Sequence, residues 1–417
     1  MKFASLNKTA RLMCVCAFSA SSSFGGAAIH LNPPQQPVPD TYFGMHIHGI
    51  DVPRPTTHRV TPWPDVPIGA WRLLDSYVRW MDLEPKKNQF DFTRLDKYLA
   101  IAEQRHAKVL LPLVATPTWA SARPTEVERG NPVGSAAEPV EMDDWRNFVR
   151  TVATRYKGRI DAYEIWNEPN LKQYWTGSPD QLVDLTREAF QIIKGIDPNA
   201  LVVLPSCTTD TGPQFLDAML KKGGARYSDV VGYHFYVNNN KSPEAMLDVA
   251  TRVEEVLRDN HVDKPIWDTE TGWADPKPFP SDELGAAYVA RAYMLLWADD
   301  IRRFYWYAWD NHAFVSLEMV GDDDTSDKPA AKAYSTIQHW LLGATLLSCD
   351  SGSANTWTCE LQRGDDRQWI VWNSAASVDF NIPANWHVTF ETPLLGTKQI
   401  LKGAILQIGT APLLLER

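Results

Sequence analysis

The chain has 417 residues, 44% hydrophobic and 22% charged, proportions of a folded globular protein that exclude whole-chain disorder and a fibrous repeat. The formal charge of -10, from 41 Lys and Arg against 51 Asp and Glu, argues against a sequence-independent grip on phosphates, so no nucleic-acid partner is expected. Seventeen Trp and fourteen Tyr are many for this length; aromatic faces suit sugar rings, although each ring taken singly is more often core.

In chain order, Met1-Lys2, Lys8 and Arg11 precede the apolar run Leu12–Phe18 and small residues through Ala28, which reads as a signal peptide over 1–28. That run is too short for a membrane span, and no later run reaches the roughly 20 apolar residues a span needs. The expected product is periplasmic or secreted, without a membrane span, and monomeric. Residues 29–40 are rich in Pro and Gln and read as an extended linker.

From Thr41 short apolar runs alternate with amphipathic stretches, as repeated βα units require. Strands are expected at Tyr42–His48, Gly69–Leu74, Lys108–Val114, Arg159–Trp166, Ala200–Pro205, Asp229–Val237, Pro265–Glu270 and Arg302–Trp309. Helices are expected at Thr93–His106, Asp143–Tyr156, Pro179–Gly195, Pro213–Lys222, Pro243–Asn260, Ser281–Asp299 and Pro329–Gly343, several opening on Ser, Thr, Asp or a first-turn Pro. The first strand is followed by a Pro-rich stretch, Val52–Pro67, instead of a helix. Eight strands at roughly 34 residues per unit suit a closed (β/α)₈ TIM barrel over 41–343. An open doubly wound sheet would want a glycine-rich phosphate turn after an early strand, and the sequence has none. Beyond Gly343 the runs Thr345–Leu347, Trp357–Leu361, Trp369–Trp372, Val388–Glu391 and Ile405–Gly409 predict a small β-sandwich domain over 344–417, open to a further strand from the linker.

Chemistry concentrates at two expected strand ends. The fourth strand closes on Ile165-Trp166-Asn167-Glu168-Pro169, and the seventh on Thr269-Glu270-Thr271-Gly272. Polar residues at the C-terminal mouth of a barrel strand are read as active-site residues, and strands three positions apart in a ring of eight face each other across it. Paired carboxyls so placed suit glycoside hydrolysis, one protonating the leaving oxygen while the other attacks carbon or activates water. Adjacent Asn167 and Glu168 cannot both face inward on an ideal strand, so a bulge or the strand end must re-aim one.

These two strings resemble the acid/base and nucleophile motifs of the clan A retaining glycoside hydrolases, and the chain most resembles family 39, with its exopolysaccharide-degrading and β-xylosidase members. The resemblance implies a barrel with a sandwich, Glu168 as acid/base and Glu270 as nucleophile. It further implies that Asn167 reads the sugar 2-hydroxyl, that Arg72 keeps the nucleophile's surroundings positive, and that His234 and Tyr236 on the sixth strand join the site. Trp309 is expected as the sugar floor, with Trp119 and Trp175 extending the groove and His48 lining it. The plainer readings are a strand-end cap for Asn167, an ion pair with Asp75 or another acid for Arg72, and core packing for His234, Tyr236 and the three Trp. The expected activity is endo cutting of a bacterial exopolysaccharide or other β-glycan, against exo β-xylosidase action or a non-catalytic carbohydrate-binding barrel.

No cofactor and no metal are expected. Cys207, Cys349 and Cys359 fit no zinc pattern. Cys349 and Cys359 flank a hairpin-like stretch, and either a disulfide or two buried thiols fits the sequence. Cys207 reads as an inert core thiol. His46-Ile47-His48 shares a face and Asp322-Asp323-Asp324 is an acidic run; the first reads as barrel hydrogen bonding and the second as a solvated loop.

Overall fold

The computed structural model describes residues 28–417 apart from 54–59, 239 and 275–276. The expected signal segment therefore lies, but for Ala28, outside the described residues, as does part of the Pro-rich stretch after the first barrel strand. Among the described residues no helix is long and apolar enough to cross a membrane.

The chain enters through a two-residue strand, β1 (His30–Leu31), before the barrel begins. Eight parallel strands then close a barrel in sequence order: β2 (Phe43–His46), β3 (Ala70–Arg72), β4 (Lys108–Leu113), β5 (Ala162–Ile165), β6 (Leu201–Thr208), β7 (Val230–His234), β8 (Ile266–Thr271) and β9 (Ile301–Trp306). β9 returns to β2 with Met45 opposite Trp306, which completes the ring. One inward layer is apolar and well filled: Ala70, Leu110, Ala162, Val203, Val230, Trp267 and Tyr305 form a closed cluster. Small and large residues share it because the taper leaves unequal room. Above that layer the inward positions turn polar (Arg72, Glu164, Ser206, Thr269), all completely buried.

The helices follow from local signals. After the short α1 (Trp80–Leu83), which the sequence reading had not anticipated, come α2 (Thr93–Gln104), α3 (Met142–Arg155), α4 (Pro179–Ile196), α5 (Gly212–Lys221), α6 (Met246–Asp259), α7 (Asp282–Ala298) and α8 (Pro329–Leu341). Helix α4 opens with Ser178 accepting from the Gln181 amide, Gln181 returning the bond, and Pro179 in the first turn. Helix α7 is buried on every side from Gly285 to Ala292 except at Tyr288, and packs against α8.

Eight strands follow: β10 (Thr345–Ser351), β11 (Thr356–Arg363), β12 (Asp366–Asn373), β13 (Val378–Asn381), β14 (Phe390–Pro393), β15 (Gln399–Ile400), β16 (Ile405–Ile408) and β17 (Leu413–Glu416). The larger sheet runs β1-β10-β11-β12-β17-β14-β15, and β13 pairs with β16 separately. Alternation divides its faces. Trp369 and Val371 point into the cluster shared with β13 and β16, while Ile370 and Trp372 join the core that covers the barrel. Residues 29–40 are thus not wholly linker: Leu31 pairs opposite Cys349, and Val38 bridges Leu342. Cys349 and Cys359, opposite each other on β10 and β11, are joined by a disulfide. Cys207 is a free, buried thiol whose pKa burial raises.

Candidate active site

The polar layer over the apolar barrel interior opens into a cavity of about 400 Å³. Among the described residues, those after seven barrel strands supply its walls, from Asp75 and Arg79 after β3 round to Tyr307 and Phe314 after β9. Glu168 and Glu270 both line it, each only 6–7% exposed.

The chain after β5 solves the problem of two adjacent inward residues. Trp166 and Glu168 both take left-handed backbone, φ 75° and 45°, and between them Asn167 bridges Ser206 on β6. Reversed twist on both sides of Asn167 aims both side chains at the cavity, and such conformations in non-glycine residues concentrate at functional sites. Across the mouth, Glu270 is the fifth residue of β8, and its amide is held by Asp268 Oδ1 at 3.2 Å.

Arg72 is the hub. Its completely buried guanidinium donates through Nε to Glu164 (2.6 Å), through Nη1 to Glu270 (2.7 Å) and through Nη2 to Asn167 Oδ1 (2.7 Å). Asp75 is not among these partners. Glu164 also accepts from Thr269 Oγ1 at 2.8 Å and from Ser206 Oγ, so the counter-ion of Arg72 is itself fixed. Tyr236 donates its hydroxyl to the other oxygen of Glu270 at 3.1 Å. His234 Nδ1 lies 2.8 Å from Glu168 Oε1. Burial drives the His234 pKa down to about 4, so the ring is neutral near pH 7.

Burial also pushes both carboxyls up to about 7. The two are not equivalent, because Arg72 and Tyr236 touch Glu270 whereas neither touches Glu168. One oxygen each of Glu168 and Glu270 and a ring nitrogen of His234 lie within 4.8 Å of one another. A cation could bridge such a set, but the guanidinium already on Glu270 competes with it. A second set, His312, Glu318 and Asp322, is likewise engaged, with Asp324 on His312 and Lys328 on Glu318.

Four expected contacts are corrected. Trp309 is buried at 3% exposure in the main core and donates its backbone amide to His46 O, outside the cavity lining; β9 ends at Trp306, and Tyr307 holds the wall position instead. Trp119 packs edge-on against Trp80 and donates Nε1 to Glu84 O. Trp175 is buried against Trp166 and donates Nε1 to Ser178 O, while its neighbour Tyr174 faces the cavity. His48 sits behind Tyr307, ring centroids 5.3 Å apart, with Asp310 beside it at 3.6 Å. For Trp119 and Trp175 a backbone carbonyl takes the indole N–H that was to face the groove, and for His48 the Tyr307 ring stands in the way. Sequence reasoning also missed Asp75, Glu164, Tyr174, Tyr307 and Phe314. Glu164 was open to discovery, since a carboxylate at an inward strand position needs a cation and Arg72 is inward too.

A closed eight-stranded barrel with two carboxyls facing each other over its C-terminal mouth is the arrangement that glycoside hydrolysis requires. The model of the glycosyl hydrolases family 39 matches residues 71–315, well over half of the chain, and the chain belongs to that family. A β-xylosidase of Geobacillus stearothermophilus is 23% identical over 188 residues, which is 38% of this chain and 37% of the relative. A β-xylosidase of Caldicellulosiruptor saccharolyticus is 26% identical over 36% of this chain and 33% of its own length, so the chain matches well under half of either relative. Among solved structures, a glucosidase from Croceicoccus marinus superposes with TM-score 0.67 at 12% identity, covering 93% of this chain and 98% of that one. The GH39 enzyme from Xanthomonas axonopodis pv. citri gives 0.62 at 16% identity over the same shares. At these identities the structural likenesses speak for the fold alone.

Proposed function

We propose that the chain hydrolyses β-glycosidic bonds of an oligo- or polysaccharide with retention of configuration. The observation that carries this reading is the spacing of Glu168 and Glu270, whose nearest oxygens lie within 4.8 Å. Retaining enzymes hold their carboxyls about 5–5.5 Å apart, whereas inverting ones need roughly 6.5–9.5 Å to admit a water.

Glu270 is the nucleophile. Arg72 and Tyr236 stabilise its ionised form and hold one oxygen each, which fixes the direction of attack. Glu168 begins protonated, because its burial is not offset by a touching cation. Neutral His234 holds Glu168 Oε1, leaving Oε2 to give the proton to the leaving oxygen. Attack by Glu270 forms a glycosyl ester as the glycosidic C–O bond breaks. Glu168, now ionised, takes a proton from water, and that water's oxygen displaces Glu270 from the anomeric carbon. Asn167 spends Oδ1 on Arg72, so its amide nitrogen is the group left for the 2-hydroxyl.

Endo action on a bacterial exopolysaccharide or other β-glycan is the first reading, supported by the aromatic side chains on the cavity wall. The Trp119 and Trp175 platforms no longer support it, and Tyr174, Tyr307 and Phe314 are the aromatic walls in their place. Exo action on β-xylosides is the second reading, favoured by the two β-xylosidase relatives. Product analysis separates them, since endo cutting releases a ladder of oligosaccharides and exo cutting one sugar at a time. Proton NMR of the first-formed product tests retention itself; an inverted anomer would overturn the mechanism.

A further inference from the structure

The cavity holds a third carboxyl. Asp75, three residues beyond Arg72 at the end of β3, lines the cavity and is solvent-exposed there. Its backbone is left-handed, φ 56°, as is that of Tyr77 two residues on, so the loop departs from ordinary geometry where it meets the site. Tyr307, itself buried, donates its hydroxyl to Asp75 Oδ2 at 2.7 Å, and Asn311 Nδ2 donates to that hydroxyl at 2.8 Å. Oδ2 is thereby fixed. No described residue hydrogen-bonds Oδ1.

Barrel order says which part of a substrate would meet this group. Asp75 follows β3 and Tyr307 follows β9, the two neighbours of β2, so their bond closes one side of the mouth. Glu168 follows β5, on the other side of β4. With Glu168 as proton donor the leaving group lies on the β5 side, and the ring being attacked extends towards β9, β2 and β3. The three contacts of Arg72 are all to protein, and Arg79, whose charge acts on Asp75 through space, is held by Asp82 through Nε and Nη2; among the described residues no cation hydrogen-bonds Asp75.

Resting on the roles assigned above to Glu168 and Glu270, we propose that Asp75 is the residue that reads the glycone: its anchored carboxylate accepts hydrogen bonds from ring hydroxyls of the sugar bonded to Glu270, and selects neutral, unsubstituted glycones over anionic ones. A fixed carboxylate suits this work because each hydroxyl has a proton to give, and a bond to a charged acceptor is worth about 1.5–3 kcal/mol, or roughly 10- to 150-fold. A uronate glycone would instead meet a cavity lined by three carboxyls, with Arg79 on its wall already bound to Asp82. The charge of Asp75 also acts on its neighbours and raises the pKa of both Glu168 and Glu270. The other groups facing Glu168 are Arg72 and Glu164 below it, Cys207 and Thr208 from β6, Tyr233, His234 and Tyr236 from β7 and its loop, Glu270 from β8 and Tyr174 from its own loop.

The experiment compares wild type with Asp75→Asn on 2,4-dinitrophenyl β-glycosides of xylose and glucose, their 3-deoxy and 4-deoxy forms, and the β-glucuronide. On the parent glycoside the variant should lose about 10- to 100-fold in kcat/KM. On at least one deoxy form the two proteins should differ by less than threefold, because the hydroxyl that Asp75 reads is gone. The handicap of the glucuronide against the glucoside should shrink in the variant, and the alkaline limb of its pH profile should move to lower pH. Tyr307→Phe keeps the carboxylate while removing its anchor, and should retain more of the parent activity than Asp75→Asn. Equal losses on parent and both deoxy forms, with an unmoved pH profile and an unchanged glucuronide handicap, would overturn the proposal and leave Asp75 as an anchor for Tyr307. Failure of the wild type to turn over every activated glycoside would sink the hydrolase reading itself, a different result from normal wild-type turnover with uniform losses.

Discussion

At the scale of single residues, the site divides labour between two buried carboxyls through one arginine. Glu270→Ala and Glu168→Ala should each abolish hydrolysis of natural substrate while circular dichroism stays unchanged. With an activated aryl glycoside and azide, Glu270→Ala should yield the α-azide and Glu168→Ala the β-azide; swapped products would exchange their roles. Because burial lifts both carboxyls to about 7, the pair carries one proton between them near neutrality. Activity should fall as pH drops below the first apparent value of the pair, where Glu270 takes a proton, and as it rises above the second, where Glu168 loses one. Stability has the opposite interest. A folded-state pKa raised above the unfolded value means that the native state binds more protons between about 4.5 and 7, so these groups cost stability as pH rises through that window. Glu168→Gln should therefore raise the melting temperature at pH 8 and change it little at pH 4.5; an equal shift at both would show that charge burial is not the cause. Asn167→Ala should lower kcat and kcat/KM together, by about 2–4 kcal/mol, since the 2-hydroxyl contact strengthens in the transition state. A rise in KM alone would make Asn167 a uniform binder.

At the scale of elements, the ends of β8 and β9 decide whether the site is assembled. A Cβ on Gly272 would fall 1.9 Å from Tyr307 O, and Tyr307 N donates to Thr271 O at 2.9 Å, so the chain leaving β8 runs directly against the chain leaving β9. Gly272→Ala should displace Tyr307 and cost at least tenfold in kcat/KM, with a lowered melting temperature; wild-type behaviour would mean that the loop absorbs the methyl. On the sandwich side, Cys349→Ser with Cys359→Ser should cost about 2–3 kcal/mol, as expected for cross-linking a ten-residue separation, and leave kcat unchanged. The barrel strands were legible because each is a short apolar run closed by polar residues, and Glu168 and Glu270 because they stand at such closures. The aromatic walls were not. Where a ring points after a strand has ended depends on partners far away in the chain, as Trp119 shows by reaching Glu84 O, and periodicity holds no information about those partners. Asp75 was hidden for a similar reason, its position being set by a left-handed turn and by Tyr307, 232 residues on.

At the scale of the whole molecule, barrel and sandwich are joined by polar contacts as well as by apolar packing. Arg291, completely buried in α7, pairs with Glu244 before α6, and Trp372 on β12 donates Nε1 to the same carboxylate at 3.0 Å. Arg363 on β11 donates to the Leu342 carbonyl at 2.6 Å, at the end of α8. Glu244→Gln strips the completely buried Arg291 of its counter-charge, and should destabilise by about 3–5 kcal/mol in thermal or urea unfolding. A loss under 1 kcal/mol would show that the apolar face alone holds the two parts together. The entry strand β1 adds a different consequence. Since Leu31 pairs with Cys349, the entire barrel is, in topological terms, an insertion between the first and second strands of the sandwich sheet. On a ribosome, Leu31 emerges more than three hundred residues before its partner and has nothing native to pair with while eight βα units are made. The sandwich sheet thus also reports on synthesis: only a chain translated as far as β10 can pair Leu31.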